Sequence, residues 1–180
     1  WILDMCTGAG CSLISLLHYS TDCRGGGADI SGEALAVARG NAERLLGASA
    51  CAWMRDGTEV LDGCGADDPP CAEDRQGRIS LIESDLFDGI EGRFDIIVSN
   101  PPYIRSGEIP GLMPEVREHE PVLALDGGED GLDFYRRILE GCRAHLCGGG
   151  MLFLEIGYDQ GEAVSGLLAE AGFLEVAVVK

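Results

Sequence analysis

Trp1-Ile2-Leu3-Asp4-Met5-Cys6-Thr7-Gly8-Ala9-Gly10 reads as an apolar strand end running into a glycine turn, and Ser12-Leu13-Ile14-Ser15-Leu16-Leu17-His18-Tyr19 follows with helical spacing of its apolar residues. Strand, glycine loop, helix is the opening unit of a parallel α/β sheet. Gly8 and Gly10 let the backbone approach a ligand closely, and the first N–H groups of the helix face it as donors. The loop has no Gly-Lys-Ser/Thr, which argues against a nucleoside triphosphatase, and its glycine spacing departs from the G-x-G-x-x-G of dinucleotide sites.

Outward from this unit, β and α patterns alternate to the end. Ala28-Asp29-Ile30 closes a second segment, in which Gly25-Gly26-Gly27 predicts a short or irregular strand. Ser31 is placed to cap a helix over Glu33 to Leu46. Asp29, about 20 residues past the loop, suits hydrogen bonding to both hydroxyls of a ribose. Ile79 to Phe87 alternates as a strand, and Asp85 with Leu86 and Phe87 suits an adenine slot, polar at its edge and apolar on its faces. Three strand ends therefore describe one adenosine-containing ligand.

Phe94-Asp95-Ile96-Ile97-Val98-Ser99 is a buried-strand run that stops at Asn100-Pro101-Pro102-Tyr103, where the prolines permit neither strand nor helix. Asn100 offers an acceptor and two donors, the proline carbonyls accept without competing N–H groups, and Tyr103 supplies a ring to cover an incoming –NH2. A long loop is expected from Ile104 to Gly128, carrying Glu115, Arg117, Glu118, His119 and Glu120, with His119 in a surface role. A striped helix runs from Leu132 through Leu146, closed by Gly148-Gly149-Gly150. A buried strand then spans Met151 to Ile156, a helix Gln160 to Ala171, and a last strand Phe173 to Val179. The expected fold is a Rossmann-like, doubly wound, mostly parallel sheet with helices on both faces, in one domain over residues 1–180.

Charge narrows the partners. The 180 residues carry 31 Asp and Glu against 13 Lys and Arg, a net charge of −18, so attraction of this domain to a phosphate backbone is disfavoured. With no long uncharged apolar run and no basic leader, neither membrane span nor signal peptide is expected, and the cytoplasm is the expected compartment. The chain begins inside an apolar run without a start methionine, as a trimmed one would. Its eight cysteines form no CxxC pair: Cys6, Cys11, Cys142 and Cys147 read as small core residues, and no metal site is expected. Residues 47–77, rich in Gly, Asp, Cys and Pro, read as an inserted acidic loop, in which Cys51, Cys64 and Cys71 lack the spacing of a usual zinc site.

Taken together, these motifs resemble the class I S-adenosylmethionine-dependent methyltransferases, and within them the HemK/PrmC-type release factor glutamine methyltransferases. The likeness runs from Ile2-Leu3-Asp4 and Thr7 to Gly10 through Ala28 to Ser31, Ser84 to Phe87 and Ser99 to Ile104. It continues through Glu120-Pro121-Val122-Leu123-Ala124-Leu125-Asp126-Gly127-Gly128 and Gly131 to Tyr135. The departures are Cys6 where glycine is commoner, the long 47–77 segment and the absence of the family's amino-terminal helical domain.

The resemblance implies S-adenosylmethionine as cofactor, held by Thr7, Gly8, Ala9, Gly10, Cys11, Asp29, Asp85, Leu86 and Asn100. It also implies that Asn100, Pro101, Pro102 and Tyr103 bind the substrate amide, with Asn100, Pro101 and Tyr103 catalytic, and that the partner is a peptide chain release factor. The alternatives are an N6-adenine methyltransferase acting on DNA or RNA, gripping a flipped base in the same turn, and a cofactor-binding or scaffolding domain without activity of its own.

Overall fold

A computed structural model describes residues 1–48, 61–62 and 77–179 of the chain, the pair 61–62 by backbone only. The chain divides into two compact units, Trp1–Ser99 with Cys142–Phe153, and Asn100–Gly141 with Leu154–Lys180.

In the first unit, β1 (Ile2–Met5), α1 (Cys11–Tyr19), β2 (Gly25–Asp29) and α2 (Gly32–Leu46) follow in order. Ser31 caps α2, its side chain accepting from Ala34 N at 3.2 Å. After β3 (Leu61–Asp62) come β4 (Ile79–Glu83), β5 (Ile90–Glu91) and β6 (Phe94–Ser99). The sheet order is β4-β2-β1-β6-β7, with β7 spanning Leu146–Leu154, while β3 and β5 form a separate parallel pair. β1 pairs in parallel with β2 and β6, and β2 with β4. The chain winds outward from β1 to β4 and then returns to β6 on the other side of β1. That reversal puts a topological switch point between the carboxyl ends of β1 and β6, where open α/β sheets bind ligands.

The core over this sheet is built by Ile2, Leu13, Ile14, Leu17, Ala38, Ala42, Ile79 and Leu81. Its spacing explains why α1 and α2 exist: Leu13, Ile14 and Leu17 fall on one helical face, and so do Ala38 and Ala42. The three glycines of β2 form a regular buried strand, contrary to expectation. A Cβ at Gly25 would lie 2.5 Å from Leu13 Cδ1, and one at Gly27 would lie 2.8 Å from Leu81 Cδ2. Glycine there is a packing requirement, since the neighbouring side chains occupy the space its own side chain would need.

The second unit contains α3 (Pro114–Arg117), most of α4 (Asp133–His145) and α5 (Gly161–Glu170), and the expected 104–128 loop is partly coiled into short turns at Ile109–Gly111 and Val122–Ala124. On α4, Tyr135, Ile138, Leu139 and Cys142 form the buried stripe read from the sequence.

Three expectations fail here. Gly148 to Gly150 do not close a helix but lie inside β7, because the helix already ends at His145. That strand is not buried on both faces: Met151 and Phe153 are half-exposed, as befits a strand at the end of the sheet order. Phe173 to Val179 forms no strand, since Glu175 sits at φ 56, outside the extended region, and the alternating Leu174, Val176 and Val178 face solvent without a ladder. Most of the 47–77 segment, including Cys51, Cys64 and Cys71, lies outside the described residues.

Candidate functional site

The loop after β1 is shaped by Asp4, a residue that motif reading passed over. Asp4 is buried, and its Oδ2 accepts from Thr7 Oγ1 at 2.6 Å and from Leu13 N at 3.2 Å. One carboxylate thus ties the strand end to the turn and to the start of α1. Burial pushes its pKa up to about 6, against the lowering effect of those two donors, and the charge of Asp29 adds to the rise. An acid at the end of the first strand, before a glycine turn, is the signal that would have found it.

Cys6 adopts φ 57 and Gly8 and Gly10 adopt φ 54 and φ 80, so the turn needs left-handed backbone three times within five residues. A Cβ at Gly8 would meet nothing within 4 Å, leaving the backbone open to close approach. Gly8 N donates to Asp29 Oδ2 at 2.8 Å, while Asp29 Oδ1 accepts from Ser31 N at 2.9 Å. The acid at the tip of β2 therefore anchors the glycine loop, and each of its oxygens keeps a second lone pair for a hydroxyl. Ala9 O accepts from Asn41 Nδ2 at 3.0 Å, which ties the loop to α2. Cys11 is exposed at the first turn of α1, so it is not the small core residue expected, whereas Cys142 is buried.

Asp85 and Leu86 occupy the turn after β4, and Ser84 sets its shape. Ser84 Oγ donates to Leu86 O at 2.8 Å and accepts from Gly89 N at 2.9 Å, holding Leu86 at φ 52. Strained backbone of this kind is concentrated at ligand sites. Ser84 N donates to Asp29 O at 2.9 Å, so the second and third acidic strand ends are joined. Burial, then the hydrogen bond from Ser99 and the charges of Asp29, Asp4 and Asp85, act on the Cys6 thiol, which is pushed up to about 12 and stays neutral. Asp29 and Asp85, the two acids singled out in the sequence, and Asp4, which was not, thus all lie close enough to the Cys6 thiol to act on it.

Ser99, the last residue of β6, lies opposite Met5 in the ladder and donates from Oγ to Met5 O at 2.8 Å. Asn100 follows it directly and is exposed, while Pro101 and Pro102 are buried. Rigid prolines thus leave the amide side chain open to solvent.

Within the second unit this turn is buttressed from two directions. Ile104 N donates to Leu125 O at 2.9 Å and Gly127 N donates to Ile104 O at 2.8 Å. Gly127 has no room for a side chain, since a Cβ would lie 2.7 Å from Tyr103 Cα. The segment from Leu125 to Gly127 accordingly acts as a splint for the turn. Tyr103 is held above the ordinary phenol value by burial first and then by Glu155, so its ring stays neutral. Gln160, which the sequence offered only as a helix start, is the second buttress. Its Nε2 donates to Tyr103 O at 3.0 Å. Among the described residues, no group of three or more His, Cys, Asp or Glu is arranged to hold a metal ion, and no helix is long and apolar enough to cross a membrane.

The chain is similar to methyltransferases of known name and structure. The chain is 42% identical over 178 residues to the release factor glutamine methyltransferase of Cereibacter sphaeroides, covering 99% of this chain and 54% of that protein. It is 37% identical to that of Clostridium acetobutylicum, with the same coverage, and 40% identical to that of Agrobacterium fabrum, covering 99% of this chain and 52% of that protein. The chain thus spans about half the length of the curated relatives it matches. No protein-family model matches it. Among solved structures, the ribosomal protein L11 methylase of Lactobacillus delbrueckii subsp. bulgaricus superposes with a TM-score of 0.59 at 18% identity, covering 99% of this chain and 63% of that one. A methyltransferase from Pyrococcus furiosus superposes with a TM-score of 0.55 at 19% identity, covering 95% and 61%. The Rossmann-like class I methyltransferase fold expected from the sequence is the fold observed, and the resemblance to release factor glutamine methyltransferases extends along the whole chain.

Proposed function

We propose that residues 1–180 are the transferase domain of a release factor glutamine methyltransferase, which moves a methyl group from S-adenosylmethionine to the side-chain amide nitrogen of a glutamine in a peptide chain release factor. A substrate of that kind places the enzyme in the cytoplasm. The observation that carries the reading is Asn100, exposed directly after the last residue of β6 and followed by two buried prolines.

In this reading Thr7, Gly8, Ala9, Gly10 and Cys11 lie along the methionyl part of the cofactor, Asp29 takes the ribose hydroxyls, and Asp85 and Leu86 take the adenine, with Asn100 completing the contacts. The residues fit that group: an open glycine backbone, a carboxylate with spare acceptor capacity and a carboxylate beside a buried leucine match its donors and faces. When bound, the cofactor supplies an electrophilic methyl on a sulfonium.

The chain's own task is to make a poor nucleophile react. An amide nitrogen has its lone pair delocalised into the carbonyl. Asn100 Oδ1 and the Pro101 carbonyl accept the two N–H groups of the substrate and turn the lone pair out of conjugation, with Pro102 fixing the bend and Tyr103 covering the amide. Positioning of this kind is worth on the order of several kcal/mol of barrier. The proton departs to solvent after transfer, so no general base is required before it.

Incubation with labelled cofactor and a release factor tests the reading. Wild type should label one glutamine, and Asn100→Ala should lose at least about 100-fold in kcat. Labelling that persists in Asn100→Ala, or that appears on nucleic acid instead, would overturn it.

A further inference from the structure

We infer that Gln160 is a positioning residue for the methyl-accepting turn, acting through the carbonyl of Tyr103; this deepens the reading above and rests on it. The side chain is buried, at 3% exposure, and every polar atom on it is used. Nε2 donates to Tyr103 O at 3.0 Å and to Gly131 O at 3.1 Å, while Oε1 accepts from Gly157 N at 2.9 Å and lies 3.3 Å from the Tyr135 hydroxyl, whose one proton Glu155 O accepts at 2.9 Å. A buried amide with three bonds to backbone groups has one orientation, because flipping it would oppose its NH2 to the Gly157 N–H and its oxygen to two carbonyls.

Space around it has been cleared by glycine. A Cβ at Gly131 would sit 2.5 Å from Tyr103 O and 2.7 Å from Gln160 Nε2, and one at Gly157 would sit 2.9 Å from Gln160 Oε1. Gly131 also adopts φ 76, where a side chain is strained in any case. Gly131 and the Gln160 amide thus converge on a carbonyl 57 positions away from Gln160 in sequence, while Gly157 closes on the other end of the amide. Arg105 adds a second tie between the same segments, donating to Asp159 Oδ2 at 2.9 Å.

The function of this node follows from what Tyr103 O is attached to. Two buried prolines cannot hydrogen-bond through nitrogen, so Pro101 and Pro102 give the turn stiffness but no N–H anchor. The Tyr103 carbonyl is then where a side chain can set the rotation of the bend, and with it the direction of Asn100 and the Pro101 carbonyl. Gln160 supplies that setting without touching the reacting atoms.

The test uses the full protein and two variants that break the same bond from opposite sides. Gln160→Glu, assayed at a pH where its carboxylate is ionised, keeps the acceptor role and removes both donors; Gly131→Ala puts a methyl against both the amide and the carbonyl. In each, kcat for methyl transfer should fall about 10- to 100-fold, with the KM for the release factor and the calorimetric affinity for S-adenosylmethionine changed less than about threefold. An unchanged kcat in a folded Gln160→Glu protein would overturn the inference. So would a loss of cofactor affinity in step with kcat, or unfolding of both variants, since either describes a structural residue only. Should wild type transfer no methyl at all, the proposed activity fails by itself, and amide hydrogen exchange decides the inference separately. Faster exchange at Ile104 and Gly127, with α1 and β2 unaffected, would support it, and equal exchange would overturn it.

Discussion

Cys6 carries the sharpest conflict at the scale of single residues. It holds a left-handed φ of 57 where the resembling family more often has glycine, and its thiol is neutral by burial. The usual order of substitutions should invert here. Cys6→Ala keeps the strained backbone and Cys6→Gly releases it, so the glycine variant should be more stable than the alanine one by about 1 kcal/mol in denaturant melts. An alanine variant as stable as the glycine one would show that the loop tolerates the strain. Asp4 makes a second prediction with a definite sign. Its pKa is raised to about 6, so between about pH 4 and pH 6 the folded chain holds a proton on this group that the unfolded chain has lost. Stability from this group therefore declines as pH rises through that window and is level above it. Relative to Asp4→Asn, wild type should lose ground in urea midpoints measured from pH 4 to pH 6, and a constant difference would refute the shift.

Among the elements, β2 shows how a strand made of poor strand formers becomes the middle of a sheet. Gly25, Gly26 and Gly27 pair in register with Ile2, Leu3 and Asp4 on one side and with Ile79, Ser80 and Leu81 on the other. What the glycines lack in propensity is returned by the close approach of Leu13, which is fully buried. Gly25→Ala should therefore destabilise by about 1–3 kcal/mol, opposite to the gain alanine brings in an open strand. Thermal or denaturant unfolding of that variant reads the effect directly, and a neutral result would mean that α1 can shift. The last segment teaches the converse: alternation of Leu174, Val176 and Val178 is a strand pattern, yet pattern alone makes no strand without a neighbour to bond.

At the scale of the molecule, the strand order brings the glycine loop and the end of β6 to adjacent positions, and a ligand held there stabilises the folded state by mass action. S-adenosylmethionine at about 100 times its Kd should add about 2.7 kcal/mol, which for a chain of this size raises Tm by roughly 5–10 °C. A melting scan with millimolar cofactor checks this, and no shift would refute the assignment of the loop. Much of the architecture is legible in the sequence. The α1, α2 and α4 stripes, the Ser31 cap and the acids at 29 and 85 are local patterns, set by helical periodicity, capping chemistry and residue type. So is the turn at Asn100, because proline constrains the backbone wherever it stands. Tertiary structure alone decided the rest: that three glycines form a buried strand because Leu13 and Leu81 need their space, that Asp4 and Ser84 shape the loops, that Phe173 to Val179 has no ladder, and that Gln160 reaches Tyr103. Those outcomes depend on which distant groups meet, and a buried hydrogen bond or a close contact between residues far apart in the chain leaves no periodic trace in it.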